Sequence, residues 1–322
     1  MRKLTKLGGT YCEGDWVPDA DGYVHGTFRF GTASGQTSCT SPNIQQYPEH
    51  YDPKDSWMAC IMKQVKGCIR AKDGYIFAKI DYRAAHAKSQ GWLAEDPVYF
   101  RLADTDIHSY TTAHYVGVPD KDILLQLDDA ALRKRLREIK TEYEYDRNYK
   151  LKRILYLMQF TGGPDKAFQI LSARFSSVLE VAQLMDMIKN LFPRTFKDFP
   201  SKVEKQLRKQ PFLISPFKHI RYFWDGDLQQ ATSFLPSNCF HSHAQLALVR
   251  LFKKGAFEKY GACNWAHDSL WLHCKEELVD EGIEVVKSEF EKPSEILINS
   301  LGPFWCHADA MKGYDMAHVK DA

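Results

Sequence analysis

The feature that most constrains this chain is a predicted β-hairpin with a carboxylate at its turn. Residues 263–274 carry apolar and aromatic side chains on both sides of a short polar tip that contains Asp268, a pattern typical of two strands joined by a tight turn. A second strand-like run, residues 75–82, has Asp81 near its end. Because an aspartate beside buried strands costs free energy unless a cation meets it, we expect Asp81 and Asp268 to converge on bound metal ions.

A pair of divalent ions held by two aspartates is typical of phosphoryl transfer. Two ions about 3.5–4 Å apart can clamp the attacking and leaving oxygens of an in-line displacement. Mg²⁺ prefers oxygen ligands and keeps several waters, so carboxylates suit it. The residues therefore predict two Mg²⁺ ions at Asp81 and Asp268.

Composition restricts the class of protein without choosing a function. The 322 residues are 44% hydrophobic and 26% charged, which predicts a globular fold with a substantial core. The net charge of +2 argues neither for nor against nucleic acid. The eight cysteines form no CxxC pair, so we expect reduced thiols in a cytoplasmic protein of a bacterial or phage-infected cell. No apolar run suggests a signal peptide or a membrane span.

The remaining pattern predicts a mixed fold with helices in the middle of the chain. Helical spacing is found over residues 84–93, 97–118, 122–146, 147–160 and 166–191, the last as one long helix. Residues 213–224 are strand-like and lead into a hairpin turn at 225–227, and the segment after Pro236 becomes helical. A last strand is expected at 296–299, and the polar tail from His307 is expected to be loose.

One predicted helix presents a cation and two aromatic rings on a single face. Lys152, Tyr156 and Phe160 follow at four-residue spacing within residues 147–160, which places them on one side of an α-helix. Lysine is a flexible point charge suited to phosphate, although most helix lysines of this kind are simply solvated.

Residues 31–48 are small, polar and interrupted by two prolines, which predicts an extended loop. The loop has two possible roles. It could be a surface linker, or its amides and hydroxyls could lie along a phosphate backbone.

Taken in chain order, these segments resemble the family A DNA polymerases. The runs Ser34-Gly35-Gln36 and Pro42-Asn43-Ile44-Gln45-Gln46-Tyr47-Pro48 are similar to the family's TGR…PNLQNIP, and residues 6–11 with 25–28 look like the segment after its thumb. Asp81-Tyr82 resembles the start of DYSQIE, and Asp106-Ile107-His108 resembles DIH. The Lys152 helix resembles RxxxKxxx(F/Y)GxxYG, Pro236-Ser237-Asn238 resembles PIQ, and His267-Asp268-Ser269 resembles HDE.

The resemblance implies roles for particular residues. Asp81, Asp268 and the backbone carbonyl of Tyr82 would hold the metal ions. Lys152 would bind the triphosphate and donate a proton to pyrophosphate. Substrate-binding roles are implied for Lys152, His108, Tyr156, Phe160, His86 and Arg147. DNA-binding roles are implied for Gln36, Asn43, Gln45, Asn238 and His267.

Several positions depart from the family pattern. His86 stands where the family has a glutamate that blocks the ribose 2′-hydroxyl, so the resemblance does not imply the family's sugar selectivity, and Ser269 replaces the glutamate of HDE. Gln36 stands in place of an arginine, and Leu157 replaces the family's glycine. The leading arginine of the helix motif falls at Asn148, with Arg147 beside it.

The fold implied by the resemblance is the right-hand polymerase fold, of class α/β (α+β), with an antiparallel palm sheet and a mostly helical fingers insertion. We expect palm in residues 1–110, fingers in 111–220 and palm again in 221–322. The expected partners are primer–template DNA and dNTPs, with no membrane. No thumb or exonuclease segment is recognised, so two alternatives are expected: the sequence is a fragment of a longer protein, or a separate thumb-bearing or processivity subunit is a further partner.

Two other interpretations stay open. Single-subunit RNA polymerases share the right-hand fold and carry HDS where this chain has it. The PNIQ run, the DIH segment and Tyr156 favour DNA polymerase, whereas His86 disfavours it. The altered arginines and the lack of a recognised thumb are also compatible with a catalytically silent nucleic-acid-binding subunit. Each motif taken alone has an ordinary structural explanation, because an aspartate after a strand is usually a turn residue.

Overall fold

The computed structural model describes residues 16–29, 32, 35–45, 56–160, 162–225 and 227–322, with the backbone alone for 56–60 and 62. Residues 6–11, Ser34 and 46–48, which contribute to the sequence resemblance, lie outside the described residues. The chain forms two compact units. The first comprises the described residues of Met1–Tyr82, Ala244–Lys292 and His307–Ala322, and the second comprises Arg83–His243 and Pro293–Cys306. These bounds differ from the predicted palm and fingers segments, whose assignment stays a prediction.

Eleven short strands are formed by the described residues. They are β1 (Thr27–Arg29), β2 (Ser38–Thr40), β3 (Tyr75–Tyr82), β4 (Phe212–Ile214), β5 (Ile220–Tyr222), β6 (Ala262–Ala266), β7 (Ser269–Lys275), β8 (Ile298–Asn299), β9 (Gly302–Pro303), β10 (Ala308–Gly313) and β11 (Lys320–Asp321). Five of them make one antiparallel sheet in the order β11-β10-β3-β7-β6. The predicted strand at 75–82 and the predicted hairpin at 263–274 are therefore neighbours in this sheet.

Twelve α-helices lie in the described part of the chain. They are α1 (Ser56–Gly67), α2 (Ala85–Leu93), α3 (Pro97–Thr105), α4 (Ile107–Val116), α5 (Asp129–Glu142), α6 (Lys152–Gln159), α7 (Pro164–Leu171), α8 (Val178–Leu191), α9 (Phe199–Leu207), α10 (Leu228–Lys253), α11 (Ala256–Lys259) and α12 (Val279–Phe290). None of the helices in this part of the chain is both long and apolar enough to span a bilayer.

The two faces of the five-stranded sheet carry different residues because side chains alternate along a strand. One face packs against α12, where the ring of Tyr82 lies parallel to that of Phe290 with centroids 4.4 Å apart. The opposite face carries the cluster of Phe77, Trp271 and Met316. Asp81 alternates with Tyr82, so it lies on the face away from α12.

The second unit is mostly helical. Its larger core is built from the apolar faces of α3 to α8, with Tyr99, Leu136, Leu155, Leu184 and Phe192 among the buried side chains. A smaller core joins α9, β4 and the start of α10. The antiparallel sheet and the helical unit together confirm the predicted mixed α+β class.

The C-terminal tail corrects one expectation. Residues from His307 were expected to be loose, yet β10 pairs with β3 over six residues and β11 adds to its other edge. Most β10 side chains are only partly buried, so the sequence has no apolar alternation to mark the strand. Backbone pairing with β3 positions it instead.

Three further local predictions are wrong. The helix expected over 166–191 is interrupted between Leu171 and Val178, and the Ser177 hydroxyl caps α8 by accepting from the Glu180 N–H at 3.2 Å. The strand expected at 213–224 is itself the β4–β5 hairpin, so the chain reverses before the turn predicted at 225–227. α10 contains Pro236 inside its span instead of starting after it. The loop 31–48 also includes the short strand β2.

Candidate functional site

Asp81 and Asp268, here called the acidic pair, are brought together by the pairing of β3 with β7. Asp81 lies directly opposite Ser269, the residue that follows Asp268. The backbone N–H of Tyr82 donates to the carbonyl oxygen of Asp268 at 3.2 Å. The two carboxylates, 187 positions apart in the chain, are thus adjacent in the first unit.

The electrostatics of the acidic pair are unfavourable without a bound cation. The pKa of Asp268 is raised to about 8, first because its carboxyl is desolvated, and second because Asp81 supplies a negative charge and a hydrogen bond. Lys79 opposes this rise. Its ammonium lies 2.8 Å from Asp81 Oδ2 on the same face of β3. At neutral pH Asp268 therefore keeps its proton, and Lys79 is the cation paired with Asp81.

The residues of the turn support the carboxylates without adding ligands. His267 is exposed and has a positive φ of 57°. Ser269 is buried, and its hydroxyl donates to the Ala266 carbonyl at 2.9 Å. The serine that replaces the family's glutamate thus closes the turn.

The acidic pair fits a divalent ion that takes few protein ligands. Among the described residues, no group of three Asp, Glu, His or Cys side chains could hold a metal by itself. Mg²⁺ commonly binds one or two carboxylates and completes its coordination with waters and substrate phosphates. The desolvation and the charge of Asp81 that raise the pKa of Asp268 both disfavour its ionised form, and such a cation would offset both. The proposed ligand role of the Tyr82 carbonyl stays a prediction.

A cationic cluster, defined here as Arg147 and Lys152 with the anchoring residues Asp106 and Ser109, lies in the second unit. Asp106 caps α4 by accepting from the Ser109 N–H at 3.1 Å and its hydroxyl at 2.6 Å. Arg147 Nη2 donates to both Asp106 oxygens at 2.9 and 2.8 Å. Although desolvation acts in the opposite direction, Arg147 and Ser109 hold the pKa of Asp106 below its usual value. Arg147 is therefore fixed by a charge-assisted bond.

A wide helical turn precedes Lys152. Residues Asp146–Leu151 form a π-helical turn, and the Lys152 N–H donates to the Arg147 carbonyl, five residues earlier. Because a π turn accommodates one more residue than an α turn, Arg147 lies one turn before Lys152. Arg147 thus occupies the place that uninterrupted α-helical spacing gives to Asn148.

Lys152 and His108 are electrostatically coupled to Arg147. The Lys152 side chain is exposed, and its pKa is lowered by desolvation and then by the charge of Arg147. The pKa of His108 is lowered to about 4 by desolvation and by these two cations, against the influence of Asp106. His108 is therefore neutral at pH 7. Its buried Nδ1 meets no hydrogen-bond partner among the described residues.

An aromatic strip continues from Lys152 along α6. Tyr156 is 58% exposed, and its ring centroid lies 4.7 Å from that of Phe160. The His86 ring lies 4.3 Å from Phe160, and its Nε2 lies 3.2 Å from Ser237 Oγ. Desolvation and then His241 lower the pKa of His86 to about 3. The structure brings together the predicted residues His86, Tyr156 and Phe160.

The residues predicted to contact DNA differ in exposure. Gln45 is buried, and its Nε2 donates to Thr37 Oγ1 and the Trp265 carbonyl, both at 2.8 Å. Asn43 Oδ1 accepts from the Gln45 N–H at 3.1 Å. Asn238 is 1% exposed and its amide pairs with the His219 ring. Gln36 and His267 are at least partly exposed. DNA contact by these five residues stays a prediction.

Sequence reasoning missed the supporting roles of four residues. Lys79 stands two positions before Asp81, and the two-residue period of a strand would have placed both on one face. Asn264 donates to the Ile44 carbonyl at 2.9 Å and fastens the 42–45 loop to β6. The anchoring roles of Asp106 and Ser109 have only the weak signal of a helix-capping sequence.

An antiparallel sheet that brings two carboxylates together, joined in sequence to a helical unit, is the arrangement expected of the right-hand polymerase fold. The structure is similar to that of the polymerase domain of Pol1 from M. smegmatis in complex with DNA primer-template and dNTP. The TM-score is 0.68 at 17% identity, over 99% of this chain and 51% of that chain.

Among curated proteins, the chain is 28% identical over 135 residues to DNA polymerase I of Caldicellulosiruptor bescii. The match covers 40% of this chain and 15% of that protein. No family model matches the chain. The fold is that of the DNA polymerase I polymerase domain, and the resemblance to family A DNA polymerases is confirmed.

Proposed function

We propose that this chain is a template-directed DNA polymerase. It would transfer a nucleotide from a dNTP to a primer 3′-hydroxyl, with two Mg²⁺ ions at the acidic pair. The observation that carries the proposal is the adjacency of Asp81 and Asp268, which β3–β7 pairing produces from distant parts of the chain. The similarity to a polymerase domain in complex with DNA primer-template and dNTP supports it.

The reaction forms a bond between the primer 3′-oxygen and the α-phosphorus and breaks the α–β phosphoanhydride bond, so that pyrophosphate leaves. Asp81 and Asp268 would hold the metal ions. Bound Mg²⁺ would acidify the primer hydroxyl and neutralise charge on the phosphates. Because desolvation and the neighbouring Asp81 raise the pKa of Asp268 to about 8, this carboxyl is well suited to exchange its proton for metal.

The cationic cluster would bind the triphosphate. The ammonium of Lys152, whose pKa is lowered by desolvation and by Arg147, would pair with phosphate and later donate a proton to pyrophosphate. Neutral His108 would donate one hydrogen bond without adding charge. Tyr156, exposed beside Phe160, offers a ring for the base of the incoming nucleotide.

Primer extension is the direct test. We expect Mg²⁺-dependent extension with dNTPs, lost in Asp81→Ala and in Asp268→Ala while far-UV circular dichroism stays native. Asp73→Ala, at the exposed turn before β3, is the matched control and should extend normally. Near-normal extension by either acidic-pair variant would contradict the metal assignment.

The same assay separates the two alternative functions. Preference for NTPs would indicate an RNA polymerase, in which His86 would not exclude the 2′-hydroxyl. Binding of primer-template without extension under any divalent ion would indicate a silent nucleic-acid-binding subunit. His86→Glu should strengthen preference for dNTPs if His86 contacts the sugar.

A further inference from the structure

The β4–β5 hairpin has one face in the core and one face exposed. Leu213 is fully buried, in the small core with Phe199, Val203, Phe223 and Phe234. Because side chains alternate along a strand, the neighbouring residues point away from this core. We call Phe212, Ile214, Ile220, Tyr222 and Trp224 the outer face.

The outer face exposes large apolar groups in an ordered row. Tyr222 is 52% exposed and Trp224 is 75% exposed. Their rings are stacked, with centroids 5.0 Å apart and planes 10° from parallel. Phe212 extends the row, with its ring centroid 5.4 Å from that of Tyr222. Such an exposed aromatic surface on a folded domain indicates a binding role.

Positive charge surrounds this aromatic row. Between residues 194 and 227 there are eight Lys and Arg side chains against four Asp and Glu, a local net charge of +4 in a chain of +2. Arg208 and Lys209 are exposed just before β4, and Lys218 is exposed in the hairpin turn. Cations therefore stand at both ends of the hairpin. Arg208 also pairs with Glu204 at 2.7 Å, whereas Asp227 is engaged by the Gln230 amides.

We propose that the outer face binds single-stranded nucleic acid. Unpaired bases would stack on Tyr222 and Trp224, and the phosphates beside them would pair with Lys209, Lys218 and Arg208. Stacking on aromatic rings combined with a cationic track is how proteins bind single strands without reading sequence. A duplex fits this surface less well because its base faces are already stacked. The site needs neither metal nor nucleotide, so it goes beyond the proposed polymerase reaction.

Binding is measured by fluorescence anisotropy of a labelled oligothymidylate with the full chain in EDTA. We expect Trp224→Ala and Tyr222→Ala each to weaken binding about tenfold. Phe252→Ala removes an aromatic ring of similar exposure, 66%, from the first unit and should bind like the wild type. Lys218→Ala should weaken binding and lower the slope of log affinity against log salt by about 0.7.

A cross-linking experiment on the unaltered chain avoids any effect of substitution on folding. Oligothymidylate carrying 5-iodouracil should, on irradiation, attach to a peptide that contains Tyr222 or Trp224. Attachment only elsewhere, or unchanged affinity in both aromatic variants, would overturn the proposal. The proposal would also be overturned if the aromatic variants lost self-association of the chain but still bound single strands. That result would identify the outer face as a protein-docking surface.

The outcome is independent of catalysis. Asp268→Ala should bind the oligonucleotide in EDTA as the wild type does, because the acidic pair lies in the other unit. Failure of primer extension would therefore not affect single-strand binding at the outer face, and failure of single-strand binding would not affect primer extension.

Discussion

Lys79 and Asp81 form a 2.8 Å ion pair on one face of β3, and the same Asp81 raises the pKa of Asp268 on the adjoining turn. In the metal-free protein the raised pKa lets Asp268 keep its proton up to about pH 8, and a divalent ion would bind in place of that proton.

The stability of the metal-free protein should therefore fall as pH rises. Asp268 keeps its proton to about pH 8 when folded, whereas the ordinary carboxyl loses it near 3.8. Between these values the folded state binds the extra proton, so raising the pH favours unfolding. Asp268→Asn should be more stable than the wild type by about 2 kcal/mol at pH 9, after allowance for solvent screening, and nearly equal at pH 4. Urea unfolding in EDTA measures the stability difference at both pH values, with Asp73→Asn as the control. Equal pH profiles for wild type and Asp268→Asn would contradict the assigned repulsion.

The affinity for divalent ions should rise with pH, whereas the stability of the metal-free protein falls. Because metal displaces the proton from Asp268, affinity for Mg²⁺ or Mn²⁺ should rise by up to about tenfold per pH unit below pH 8. Lys79 lowers the pKa of Asp268, so Lys79→Met should move this rise to higher pH. Calorimetric titration across pH 6–9 checks the shift. Lys312→Met removes a lysine from neighbouring β10 that pairs with Asp280 and should leave the profile unchanged.

The Asp106–Arg147 pair should contribute strongly to the stability of the helical unit. Both side chains are mostly buried, at 17% and 12% exposure, so removing one partner leaves a charge without compensation. We expect Arg147→Ala to cost about 3 kcal/mol in free energy of unfolding, and Arg147→Lys to recover only part of it because lysine lacks the bidentate geometry.

A double-mutant cycle isolates this pair. Asp106→Asn combined with Arg147→Ala should cost less than the sum of the two single changes. Arg208→Ala, from an exposed pair with Glu204, should change stability by less than about 1 kcal/mol. Additivity of the Asp106 and Arg147 effects would show that the pair does not act as a unit.

Sequence alone could predict the elements that carry the chemistry, since β3 and the 263–274 hairpin have strong apolar patterns. It could not place Arg147, because whether a helix contains a π turn depends on a backbone hydrogen bond between Lys152 and Arg147 that no residue spacing reveals. It also missed β10, because partly exposed side chains there give no alternation and the pairing comes from β3. The sequence also could not show how exposed the predicted DNA contacts are. Asn238 and Gln45 are buried, and both are hydrogen-bonded to residues distant in the chain.

Lys152 should affect nucleotide use more than DNA binding. Its exposed ammonium lies near Arg147, and we expect Lys152→Ala to raise the KM for dNTP and lower kcat by at least about tenfold while the Kd for primer-template changes little. Lys152→Arg, which keeps the charge, should recover part of the activity. Since desolvation and Arg147 lower the pKa of Lys152, the wild-type activity should begin to fall at a lower alkaline pH than it would if Lys152 had the pKa of an ordinary lysine. Lys152→Arg should remove that fall. Single-turnover extension at pH 7–10 provides the measurement, with Lys166→Ala on exposed α7 as the control. Equal losses of dNTP use and DNA affinity in Lys152→Ala would place this lysine on the DNA backbone instead of the triphosphate.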